Sequence, residues 1–155
     1  MNPSSWLVST IAGSKEGYVD GDCKAALFRS PSAFAFSPQG HLYLSDRINN
    51  SIRKIDLDAR TVKTVDRTGL NQPTCIVWSP SGYFLITDRN NHKIKMLKVD
   101  EGSLQHFSGS DCGYADGASN VCRFWHPSSL FPTPDGQVFV SDLGNDRIRL
   151  LAKDG

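Results

Sequence analysis

The chain has 155 residues, with 17 Lys and Arg against 16 Asp and Glu and a net charge of +1. That length suits one ordinary domain with a real core, and the near-neutral charge argues against a polyanion-binding protein, leaving room only for a local basic patch. No run approaches the eighteen or so consecutive apolar residues of a membrane span, so no membrane partner is expected.

From the N-terminus, "MNPSSWLVSTIAGS" lacks the basic and apolar regions of a secretory leader. Within it, residues 6–12 read as a strand. The loop "GYVDGD" follows at Gly17–Asp22, and a near copy, "GYADGA", stands at Gly113–Ala118, 96 positions later. The same shift carries Gly13 to Gly109, Phe28 to Phe124, Pro31 to Pro127, Asp46 to Asp142 and Arg53 to Arg149. A middle copy follows the first by 42 positions, with Pro73, Pro80, Gly82, Asp88, Asn91 and Ile94, but without the long loop. The chain is thus written as three repeats, two of them with a long loop.

Each repeat predicts the same strands in order. After its Pro comes an apolar run ("SAFAFS", "TCIVWS", "SSLFPT"), then a Pro-x-Gly turn suited to chain reversal. A β-rich run ending in Asp follows ("HLYLSD", "YFLITD", "QVFVSD"), and after a short loop a third ("SIRKID", "KIKMLK", "RIRLLA"). A fourth, outer strand is read in "LVSTIAG", "TVKTVD" and "SLQHFSG". Four strands in a period of about 40 to 50 residues is the signature of a propeller blade. The expected fold is therefore all-β: a β-propeller segment of three four-stranded blades. Their spans are about 13–65, 66–107 and 108–155, with 6–12 as a latching outer strand.

The pattern P-x-x-[apolar]-x-[apolar]-x-P-x-G, followed by the strand ending in Asp and then Asn and Ile-Arg, resembles the NHL repeat. The "STIAGS…GYxDG…F…P" lead-in resembles long-loop NHL proteins, including those beside thioredoxin-like domains. The resemblance covers almost the whole chain; the middle copy departs from it in lacking the loop and in reading "IKM". It implies that the long-loop face carries ligands, and RNA in some members. Three blades are half of a six-bladed ring. The expectation is a homodimer that closes the ring with an exchanged N-terminal strand, or a fragment of a longer propeller chain.

The recurrent Asp46, Asp88 and Asp142 end strands, where a carboxylate bonds backbone N–H groups of the next turn. Asn49, Asn91 and Asn145, three residues on, suit left-handed turn positions. Catalytic groups seldom recur in every repeat, so all six are read as structural turn residues. Arg53, Lys95 and Arg149 sit within strands, where a cation meets a turn carboxylate or carbonyl more readily than a phosphate. Arg47, Arg67, Arg89 and Lys93 fall in loops on the long-loop face, and Trp125 and His126 occur in one blade alone. These six are the candidate partner-binding residues. Tyr18, Tyr114, Phe28 and Phe124 repeat, and are read as sealing the loops rather than as a stacking platform for bases.

Cys112 and Cys122 are a disulfide or two idle thiols; the four Cys show no CxxC spacing, and a reducing, cytoplasmic compartment favours idle thiols. No nucleophile motif, phosphate loop, dinucleotide fingerprint or metal-ligand spacing appears, so no catalytic residue, metal or cofactor is expected. The expected role is a non-catalytic scaffold for a protein partner. An RNA-binding module is the first alternative, and a propeller lyase or hydrolase ranks last.

Overall fold

A computed structural model of the chain describes residues 6–152, so the outermost residues of the first and last repeats, 1–5 and 153–155, lie outside it. Alternating apolar residues between Pro, Gly and Asn turns produce short antiparallel strands. In order these are β1 (Gly21–Asp22), β2 (Pro31–Phe36), β3 (Leu42–Asp46), β4 (Ser51–Asp56) and β5 (Thr61–Asp66). Next come β6 (Pro73–Ser79), β7 (Tyr83–Asp88), β8 (Lys93–Leu97) and β9 (Leu104–Ser108). The last are β10 (Pro127–Pro132), β11 (Val138–Asp142) and β12 (Arg147–Leu151). No α-helix occurs among the described residues; Arg89–Asn91 and Leu143–Asn145 form single 3-10 turns.

The strands form three antiparallel sheets, ordered β1-β5-β4-β3-β2, β6-β7-β8-β9 and β10-β11-β12. Two depart from the four strands expected. The first gains β1, because Gly21 and Asp22 of the long loop pair with Val62 and Thr61 of β5. The third has three, because no described strand pairs with the outer edge of β12. Residues 6–12, expected as a latching strand, form no strand in the single chain, and Trp6, Leu7 and Val8 stand in solvent. Each sheet opens with a register shift after its Pro, at Pro31, Pro73 and Pro127. A residue without an N–H is tolerated at such a break.

Successive sheets stack face to face through their inner strands, β2 and β3 on β6, and β6 and β7 on β10. Tyr43 and Ile52 of the first blade meet Ile76 and Phe84 of the second. The Phe84 ring lies 4.6 Å from Tyr43 and 4.8 Å from Trp78. Between the second and third blades, Leu85 and Ile94 meet Leu130 and Val140, with Cys75 in the same cluster. Each such side chain, fully buried, contributes about 1.5–3 kcal/mol.

Polar staples repeat at the same junctions. Ser32 Oγ donates to Thr74 O at 3.0 Å, and Thr74 Oγ1 to Ser128 O at 3.1 Å. The residue before each inner-strand Pro has a left-handed backbone: Ser30 (φ 54°), Gln72 (φ 50°) and His126 (φ 51°). Gln72 N–H is capped by Asn50 Oδ1 at 2.8 Å, and His126 N–H by His92 Nδ1 at 3.1 Å. Asn50 and His92 are therefore equivalent caps from the preceding blade.

The His92 cap is pH-sensitive. Burial, then His126 and Arg89, hold this imidazole below its ordinary pKa, so on acidification the unfolded chain takes up the proton first. The staple's contribution is complete above about pH 6.5 and declines below it. His92→Asn installs the first blade's acceptor without the titration. Thermal melts from about pH 7.5 to about pH 5.5 should show wild type losing stability relative to His92→Asn as pH falls; parallel curves would contradict the assignment.

Candidate functional site

The two long loops, residues 13–30 and 109–126, fold by the same contacts. Glu16 bridges Phe28 and Val19 bridges Leu27, as Cys112 bridges Phe124 and Ala115 bridges Arg123. Gly17 N–H donates to Phe28 O at 2.9 Å, and Gly113 N–H to Phe124 O at 3.0 Å. A strand arginine locks each loop down. Arg53 Nη1 donates to Asp46 Oδ2 and Leu27 O, and its Nη2 to Asp20 Oδ1 and Val19 O, over 2.7–3.1 Å. Arg149 repeats this with Asp142, Arg123 O, Asp116 and Ala115 O, over 2.6–2.9 Å. Aromatic rings flank both guanidinium groups: Tyr18 and Phe28 at 4.9 and 5.0 Å, Tyr114 and Phe124 at 4.9 and 5.2 Å. Arg53 and Asp46 are wholly buried. Both Nη atoms of the guanidinium are hydrogen-bonded while its buried Nε has no partner among the described residues, so the pair is held by hydrogen bonds as well as by charge.

The carboxylates also grip the chain in a way that strand-end reasoning does not anticipate. Asp46 Oδ1 accepts Arg29 N–H, Asp88 Oδ1 Asn71 N–H and Asp142 Oδ1 Trp125 N–H, at 2.7–2.8 Å. The backbone donor lies 17 residues upstream, not in the next turn. Asn49, Asn91 and Asn145 donate at 2.8 Å to these same carboxylates, and also to Gly17, Gly69 and Gly113 carbonyls. The left-handed residue in each loop is the next one, Asn50, His92 or Asp146, because the Asn side chain must turn inward to bridge carboxylate and carbonyl. In the middle blade Lys95 replaces the arginine, and among the described residues no ion pair reaches Asp88. Burial accordingly pushes the Asp88 pKa up, against the donors of Asn91 and Asn71. Partial burial also pushes Asp20 up, but Thr64 N–H and Arg53 outweigh it and hold it below the usual carboxylate range. Arg149 and Tyr114 do the same for Asp116.

The loops that follow β3, β7 and β11 lie at the long-loop end of the blades. Contacts sort the candidate residues into two groups. Arg47 adjoins Ile48, whose N–H bonds Arg29 O of the first long loop, and Arg67 lies 5.2 Å over Tyr18. Arg89, Lys93, Trp125 and His126 gather at the second junction, where Lys93, expected in a loop, instead opens β8 by pairing with Asp88. There the His92 and His126 rings are 4.6 Å apart, and Trp125 lies 6.3 Å from His126. None of the four candidate cations forms a salt bridge among the described residues. Trp125 is half exposed and packs on Gly144, where an added Cβ would come within 2.6 Å of its ring. Sequence reasoning missed His92, whose signal was its alignment with Asn50. All four cysteines are free thiols: Cys112 is exposed, and Cys122 is buried with its Sγ 3.2 Å from Ser108 Oγ. Among the described residues, no three His, Cys, Asp or Glu side chains cluster as a metal site, and no helix is long and apolar enough to cross a membrane.

No family model matches the chain. Protein SUPPRESSOR OF QUENCHING 1, chloroplastic, of Arabidopsis thaliana is 32% identical over 77 residues, spanning 47% of this chain and 7% of that protein. Among solved structures, an auxiliary nutrient binding protein from Bacteroides ovatus superposes with a TM-score of 0.66 at 20% identity, over 84% of this chain and 36% of that one. A streptogramin B lyase gives 0.64 at 18% identity, over 88% and 42%. A gluconolactonase from Xanthomonas campestris gives 0.60 at 17% identity, over 74% and 35%. The chain spans less than half the length of each of these proteins. The likeness is one of fold: a β-propeller-like stack of antiparallel sheets.

The clamp ranks Asp46 above Asp88. Asp46→Ala orphans two donors, Arg29 N–H and Asn49, and also removes the buried Arg53 partner, so it should cost more, about 3–5 kcal/mol. Asp88→Ala orphans two donors and no cation, for roughly 1–3 kcal/mol. Urea denaturation of both variants checks the order; equal losses would contradict the clamp.

Proposed function

We propose that the chain is an NHL-type propeller segment that serves as a non-catalytic binding scaffold, holding a protein partner on its long-loop face. One observation carries this reading. The recurrent carboxylates, Asn residues and strand arginines are engaged in building the loops, whereas Arg47, Arg67, Arg89 and Lys93 form no ion pair among the described residues and Trp125 is half exposed. Cations in two groups, Arg47 with Arg67 and Arg89 with Lys93 near the half-exposed Trp125, suit an acidic protein surface, where Trp and Arg anchor contacts and charge steers encounter. Rigidly clamped loops lose little entropy on binding. Four free thiols fit a reducing, cytoplasmic compartment.

Arg47→Glu with Arg89→Glu should release proteins captured by the immobilised wild-type chain, weakening binding about tenfold or more without altering the thermal melt. Gln39→Glu with Ser81→Glu, on the Pro-x-Gly turns at the opposite end of the blades, should retain them. The reverse pattern overturns the reading. Titration with single-stranded RNA separates the alternative: tight binding with a steep salt slope would assign the face to RNA.

A further inference from the structure

The three blades share every recurrent position, so each blade reports what its neighbours should meet at the corresponding site. On the trailing face, Tyr43 and Ile52 of the first blade are 3% and 0% exposed, and Leu85 and Ile94 of the second are 0%. Their equivalents in the third, Phe139 and Ile148, are 42% and 73% exposed. On the leading face, Ile76 and Leu130 are buried, while their first-blade equivalent, Phe34, is 72% exposed. The two uncovered apolar faces are thus the two halves of a junction that the molecule already makes twice.

The polar groups agree. Asn50 and His92 cap the N–H before the next blade's Pro, and the third member of that series is Asp146, left-handed like them and exposed. The matching N–H is that of Ser30, which shares its left-handed φ with Gln72 and His126. Ser128 Oγ, the equivalent of Ser32 and Thr74, reaches only Ser141 O of its own sheet, at 3.5 Å.

The outer edge of the third blade is more specific still. In the first blade Asp20 accepts Thr64 N–H of β5 at 2.9 Å and Thr64 Oγ1 at 3.1 Å, and Val62 packs on Cys23, Ala26 and Ile55. In the third blade the equivalent Asp116 has no strand to bond among the described residues, and its side chain is 76% exposed. Where Val62 would sit there is a groove of about 380 Å³ bordered by Ser119, Val138 and Leu151. The segment Val8-Ser9-Thr10-Ile11 aligns with Val62-Lys63-Thr64-Val65, identical at Val8 on Val62 and Thr10 on Thr64 and apolar at Ile11 on Val65. In the single chain, residues 9–12 instead lie along the leading face of the first blade, beside Phe34 and Leu44.

We propose that these 155 residues pair with a second copy of themselves, blade three of each against blade one of the other, closing a six-bladed ring in which the copy stands where further repeats of a longer propeller chain would. Residues 7–12 of one copy join the edge of β12 in the other. There Thr10 N–H and Oγ1 donate to Asp116, Val8 fills the groove, Phe34 covers Phe139 and Ile148, and Asp146 caps Ser30 N–H. Twofold symmetry makes the two junctions identical.

Light scattering tests this on the 155-residue chain. The expected mass is twice 17.1 kDa; a stable 17.1 kDa species at tens of micromolar, or an open series of larger oligomers, overturns it. Phe34→Glu and Ile148→Glu alter residues exposed in the single chain, so each variant should remain folded by circular dichroism and run as a monomer. Mixed one to one, they should recover a two-chain species, because one of the two junctions then carries neither substitution. A mixture that stays monomeric, or variants that stay dimeric alone, refutes the head-to-tail pairing. Thr10→Pro, which removes the donor to Asp116, should weaken association about tenfold.

Discussion

Each sheet of this propeller-like stack is apolar on both faces, and that constraint governs the rest of the molecule. A sheet with one apolar face needs a single partner, but these sheets need two, so the fold is a stack. Blade two satisfies the requirement on both sides, with Phe84, Leu85, Ile86 and Ile94 all fully buried. Its neighbours satisfy it on one side each. The staples at the junctions, Ser32 to Thr74 and Thr74 to Ser128, set register between sheets whose apolar contacts alone would tolerate sliding.

The buried arginine couples this stack to its long loops. It occurs with the long loop and is absent without it: Arg53 and Arg149 each hold a loop carboxylate, while Lys95 stands where no long loop exists. A planar guanidinium can serve a strand-end carboxylate, a loop carboxylate and two carbonyls at once, and an ammonium lacks the fork to do so. The loop is therefore fixed from beneath, and its outer surface is free for contact. Gly144 shows how one blade was individualised on this scaffold, since only a residue without Cβ admits Trp125 at that spot.

Much of this was legible in the sequence because a repeat displays its rules several times. The inner strands, the Pro-x-Gly turns and the missing loop of the middle copy follow from spacing alone. Less visible was whatever crosses between distant parts of the chain. The Asp46 carboxylate finds its backbone donor in Arg29, which local turn chemistry does not suggest. The left-handed residue falls on Asn50 rather than Asn49 because Asn49 is drawn inward by two acceptors at once. β1 went unread because Gly21 and Asp22 carry no strand propensity and pair only where the clamped loop delivers them to β5. The His92–His126 staple has no sequence spacing of its own and appears only when repeats are superposed.

The central claim is that equivalent positions in the blades require equivalent partners, whichever copy supplies them. Amide hydrogen exchange at residues 7–12, set against residues 61–66, tests it most directly. The account predicts that protection of 7–12 rises with protein concentration toward that of β5, with the Thr10 amide among the slowest. Exchange of 7–12 at the rate of free chain across all concentrations, with β5 fully protected, would contradict it.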